Sequence, residues 1–134
     1  MADVLTNPAA LLFARLMLIL PYWVGGLSKL FDLSGAMGAA VRSDLNPAWA
    51  FVSLTILAEI GGSLLVIVDR WTWLGAGILG VLTILDTFVV HRFWGADGSL
   101  RVEQLRNFLE HIALAAAFLL VAAVRLAHPR DERP

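Results

Sequence analysis

Four long apolar runs limit what this chain can become. Residues 9 to 30, 48 to 68, 71 to 93 and 104 to 126 each match the roughly 20 residues a helix needs to cross a hydrocarbon core. Inside lipid every backbone N–H and C=O must find its partner within the protein, so runs of this length fold as helices. The segments between them have loop chemistry: FDLSGAMGAAVRSDLNP, the pair Asp69-Arg70, and RFWGADGSLRVEQ, with HPRDERP as a polar tail. The predicted fold is all-α, an integral membrane four-helix bundle forming a single domain over residues 1 to 134. A composition of 59% hydrophobic and only 16% charged residues fits a chain whose main partner is the lipid bilayer.

Charge and cysteine usage remove several functions. A net charge of −1, with no basic stripe interleaved by aromatics, excludes nucleic acid as a partner. The absence of cysteine excludes disulfides, thiolate metal sites and any thiol or persulfide relay carried by this chain. Residues 1 to 8 lack a basic n-region and no A-x-A-like site follows the first apolar run, so that run is expected to stay in the protein.

Aromatic residues mark the ends of the spans. Trp49, Trp71, Trp73 and Trp94 fall where headgroups are expected, whereas Tyr22 and Trp23 lie inside the first span, next to Pro21. Pro21 removes a helix hydrogen bond and predicts a bend there, with Gly25 and Gly26 close behind. DLSGAMGAAVRS, with Asp32 and Ser34 as caps and small residues four apart, predicts a short amphipathic helix between spans one and two. The two-residue turn at Asp69-Arg70 makes spans two and three antiparallel neighbours. Lysine and arginine divide almost evenly between the two faces and assign no orientation.

Ionisable groups inside the spans are the functional candidates, because each would be costly to leave among acyl chains. On a rise of about 1.5 Å per residue, Glu59 lies roughly 14 Å and Arg15 roughly 9 Å from the face that carries the termini. They are expected to pair. Toward the opposite face gather Lys29, Asp86, His91, Asn107, Glu110 and His111. Asn107, Glu110, His111 and Leu114 share one helical face, which is expected to look inward. Lys29 is read as snorkelling. His91, five residues after Asp86 on what reads as one continuous helix, is expected to point elsewhere. No bis-His haem site, di-metal Glu-x-x-His motif, nucleophile elbow, phosphate loop or dinucleotide fingerprint is found, so the expectation is no metal and no catalytic residue.

ARLMLILPYWVGGLSKL, AEIGGSLLV and FVVHRFWGADGSLRVEQLRNFLEH together resemble the DoxX family of small bacterial inner-membrane proteins. The match is carried by Arg15, Gly26, Lys29, Glu59, Gly61, Gly62, His91, Phe93, Trp94, Phe108 and Leu109. H-x-F-W followed by Phe-Leu on the next helix is its most specific part. Where many members have Lys-Asn after the Phe-Leu, this chain has Glu110-His111, and a common glycine pair is replaced by Ala116-Ala117. The resemblance implies a multi-pass protein of the bacterial inner membrane with cytoplasmic termini. It also implies association with membrane redox systems, some resembling thiosulfate:quinone oxidoreductase.

Without cysteine or a redox centre of its own, the chain is not expected to be catalytic by itself. Three readings stand. The first is an accessory or anchoring subunit that docks a membrane or peripheral redox protein and borders a quinone, with no cofactor of its own. The second is a small proton-coupled carrier using Glu59, Asp86, Glu110 and His111 as relay groups. The third is a structural protein, a homo-oligomer included, without chemistry.

Overall fold

The structure is a computed structural model that describes residues 7–127. The tail HPRDERP with His128, and the N-terminal residues 1–6 weighed above, lie outside that range. The first helix, α1 (Pro8–Phe31), starts where the Asn7 side chain accepts the Ala9 N–H and Pro8 takes the first helical position, where its missing N–H costs nothing. It runs unbroken through Pro21. Asp32 then stops one helix and caps the next, accepting from Gly35 N and Ser34 Oγ at 3.0 Å each to open α2 (Leu33–Arg42), the short helix expected from the sequence.

Helix α3 (Ala48–Val68) ends at Asp69, whose φ of 67° is left-handed, a conformation Asp tolerates better than most residues. Helix α4 (Thr72–Val90) follows, then a 3₁₀ turn (Phe93–Gly95) and α5 (Gly98–Ala127). Two boundaries differ from the sequence reading. The third span stops at Val90 instead of 93, and α5 starts six residues before 104. Hydropathy registers only the lipid-facing part of a helix, and SLRVEQ is the polar, water-side beginning of α5.

Neighbouring helices pack in the order α1, α3, α4, α5, with α2 lying on α3. Between α3 and α4 the backbones meet: a methyl on Gly75 would stand 2.5 Å from the Gly62 carbonyl oxygen, so this turn-linked pair depends on glycine for its approach. The ring closes through Tyr22, which the interface rule could not place. Its hydroxyl hydrogen-bonds Thr83 Oγ1 on α4, and its ring meets Phe118 of α5 edge-on at 5.2 Å. Around it sit Ile19, Val66, Ala76 and Leu79, and a second small core joins Ala40 of α2 to Ala48 and Val52.

The outward surface is more apolar than a water-soluble bundle tolerates. Phe13, Leu57 and Leu119 are 62%, 72% and 72% exposed, and all four long helices are apolar enough to span a bilayer. The chain is a four-helix membrane bundle, and its outer faces are solvated by lipid.

Candidate functional site

The carboxylate in the middle of α3 is met by a lysine. Lys29 Nζ, in the last turn of α1, donates to both oxygens of Glu59, at 2.8 and 2.9 Å. Glu59 is 8% exposed, and α1 makes room for it with Gly25 and Gly26: a methyl on Gly25 would lie 3.4 Å from Glu59 Oε1, and one on Gly26 would press into Ile60. Lys29 therefore does not snorkel; its stem folds back along the glycine face to neutralise a buried charge.

Arg15 does not pair with Glu59 as its depth suggested. It binds Asp69, which also receives Arg125 from α5. The reason is register. Because α1 and α3 run antiparallel, moving up α1 from Arg15 to Lys29 means moving down α3 from Asp69 to Glu59. Pairing Arg15 with Glu59 would need a slip of ten residues along α3, about 15 Å. Asp69 is more than a turn residue. Its carboxylate joins three helices at the terminal face, with Thr72 Oγ1 3.4 Å away. Both Asp69 and Arg125 were missed as site residues. The available signal was the antiparallel register, which sets the start of α1 beside the end of α3.

The opposite face holds a more open group. Asp86 lies in the last turns of α4, His91 caps that helix, and His111 comes from α5. One donor atom from each lies within 4.8 Å of the others. The two imidazoles are 4.6 Å apart between ring centres, and His111 Nε2 is 3.7 Å from Asp86 Oδ2. His91 thus does join Asp86. On a continuous helix five residues turn the side chain about 140° away, but α4 ends at Val90 and His91 has left helical geometry, at φ −98° and ψ 59°.

Glu110 does not join this group. It points outward and pairs at 3.7 Å with Arg106, one turn earlier and equally exposed. Consecutive helical residues diverge by about 100°, and here His111 takes the side toward Asp86 while Glu110 falls on the outward edge of that face. Asn107 contributes its backbone: its carbonyl accepts from His111 Nδ1 at 2.8 Å, while Gln104 Oε1 lies 3.0 Å from His91 Nδ1. An aromatic wall stands beside the group, where Phe108 meets Phe88, Phe93 and Trp94 edge-on.

These positions can now be set beside known proteins. The DoxX family profile matches residues 10–92, more than half of the chain. The chain belongs to the DoxX family. Inner membrane protein YphA of Escherichia coli (strain K12) is 23% identical over 117 residues, which cover 87% of this chain and 83% of YphA. ABC transporter B family member 20 of Arabidopsis thaliana is 30% identical over 84 residues, 60% of this chain but 6% of the transporter's length. No solved structure matches.

Most of the residues that carried the DoxX resemblance fall at three places in the fold. Arg15 belongs to the Asp69 clamp; Gly26, Lys29, Glu59 and Gly62 belong to the buried tie and the α3–α4 approach. His91, Phe93, Trp94 and Phe108 form the histidine and aromatic corner.

Proposed function

We propose that this DoxX protein is an accessory subunit of a membrane redox system, resident in a bacterial inner membrane with the N-terminal end of α1 and the C-terminal end of α5 toward the cytoplasm. The observation that carries this reading is the closure of its ion pairs, one inside the spans and one at the terminal face. Lys29 occupies both oxygens of Glu59, and Asp69 is bound by two guanidiniums. A carrier works by releasing and rebinding such groups, whereas a scaffold holds them shut. Closed ties favour a rigid platform on which a partner docks.

The chemistry such a platform offers lies at the histidine and aromatic corner. The side chains of Asp86 and His111 are 45% and 27% exposed, beside a wall of Phe108, Phe93 and Trp94. A polar group next to flat apolar rings at the edge of the bilayer suits a quinone headgroup, which presents carbonyl oxygens on an apolar ring. The inner-membrane location of YphA supports the compartment.

The test is purification from native membranes in mild detergent, followed by mass spectrometry of proteins and extracted lipids. A redox protein or a quinone should co-purify in proportion to the subunit. Recovery of the chain with neither would overturn the proposal. A proton-coupled carrier is the competing reading, favoured by Asp86 and His111 lying 3.7 Å apart. In proteoliposomes it requires pH-driven uptake that is lost in His111→Ala.

A further inference from the structure

We propose that Asp86, His91 and His111 form a binding site for a divalent first-row transition-metal ion of the Zn²⁺ class. The proposal stands on the geometry of the three side chains and does not depend on the redox reading above.

One donor atom from each side chain already lies within 4.8 Å of the others, and His111 Nε2 is 3.7 Å from Asp86 Oδ2. Ligands about 2.0–2.1 Å from a tetrahedral ion stand roughly 3.4 Å apart, so small side-chain rotations close the site. The stronger argument is the shell behind the ligands. His111 Nδ1 faces the Asn107 carbonyl at 2.8 Å, and His91 Nδ1 faces the Gln104 amide oxygen at 3.0 Å. Both partners are oxygens, an arrangement that suits a proton on each Nδ1 and leaves each Nε2 lone pair for another purpose. Metal-ligating histidines are oriented in this way.

Donor type selects the ion. Two imidazoles and one carboxylate suit Zn²⁺, Co²⁺, Fe²⁺ or Ni²⁺, whereas Mg²⁺ and Ca²⁺ prefer oxygen throughout. Three protein ligands leave at least one coordination position for water or an external donor. The site is reachable, since none of the three side chains is buried and they meet where α4 ends. Glu110, turned outward to Arg106, supplies no ligand.

The test uses the full chain with a histidine-free tag, purified in mild detergent, stripped with EDTA and titrated with Co²⁺. One Co²⁺ per chain should bind with a visible d–d band, be displaced by Zn²⁺, and persist in excess Mg²⁺. His91→Gln, His111→Gln and Asp86→Asn should each weaken binding at least ~10-fold. Gln104→Leu, which alters only the partner of His91, should weaken it by about 10–100-fold, the usual effect of losing an outer-shell hydrogen bond. His128→Gln should change nothing. X-ray absorption of Zn²⁺ on the wild-type chain reads the ligands even where a variant fails to fold, and should show two imidazole nitrogens at about 2.0–2.1 Å. A folded wild-type chain that retains neither ion, binding that survives His91→Gln with His111→Gln, or an all-oxygen shell would each overturn the assignment.

Discussion

Lys29 reaches back from the end of α1 to hold both oxygens of Glu59 in the middle of α3, at 2.8 and 2.9 Å. Removing one partner strands the other charge beside apolar helices. Lys29→Met should therefore cost about 3 kcal/mol, the low end for a broken buried pair because the Lys29 side chain keeps 32% exposure. Glu59→Gln should cost less, since a neutral amide still accepts from the ammonium, which can swing toward water. Lys29→Met with Glu59→Leu should be more stable than Lys29→Met alone. Reversible unfolding in detergent of wild type, Lys29→Met, Glu59→Leu and their combination closes a double-mutant cycle, and strict additivity there would contradict the pairing.

Asp69 combines a backbone task with an electrostatic one, and three substitutions separate them. Asp69→Gly keeps the left-handed φ of 67° and loses the clamp on Arg15 and Arg125; Asp69→Asn keeps the backbone and a weaker, uncharged acceptor. Asp69→Ala loses both, and adds roughly 1 kcal/mol for a non-glycine residue held in that region. Thermal stability in detergent should fall in the order wild type, Asn, Gly, Ala. An alanine variant as stable as wild type would show that neither task matters.

Close approach of backbones makes Gly75 intolerant. A methyl there meets the Gly62 carbonyl oxygen at 2.5 Å and Leu65 Cβ at 2.8 Å, and neither can rotate away. Gly75→Ala should destabilise the bundle by about 1–3 kcal/mol, the range for overpacking a close contact. Gly61 and Gly77, with nothing within 4 Å, should accept alanine at no loss and gain helix propensity. Comparing melting midpoints of the three variants checks both signs.

Asp32 gives the molecule a pH response outside the spans. The Gly35 N–H, and then the Ser34 hydroxyl, hold its carboxyl below the usual aspartate range. A depressed folded-state pKa contributes stability that is present above the unfolded value and lost as pH falls through the folded one. Opening of α2 should therefore increase only in acid, and Asp32→Asn should make it far less dependent on pH. Amide exchange of Gly35 and Ala36 against pH reads this directly; exchange with the same acid response in both proteins would exclude the cap as its source.

Much of the bundle was legible because lipid imposes a simple rule. Apolar length marks a span, polar interruptions mark its ends, and a two-residue turn leaves its helices no arrangement but side by side, so α1, α3, α4 and the short α2 follow from composition along the chain. The ionisable residues were visible for the same reason, each conspicuous against its apolar surroundings. Their partners were not, because depth along a helix is one coordinate and contact needs three. Counted from the ends of their spans Arg15 and Glu59 look close in depth, yet the packed register puts Arg15 beside Asp69, about 15 Å along α3 from Glu59, and brings Lys29 to Glu59 instead. His91 was misplaced because α4 ends at Val90 and not at 93, and that end turns His91 toward Asp86 and His111. Sequence alone determined that this protein lives in a membrane as four spanning helices with a few charges among them. Tertiary structure decided which charges meet, since pairing depends on helix register and helix ends, which long-range packing sets.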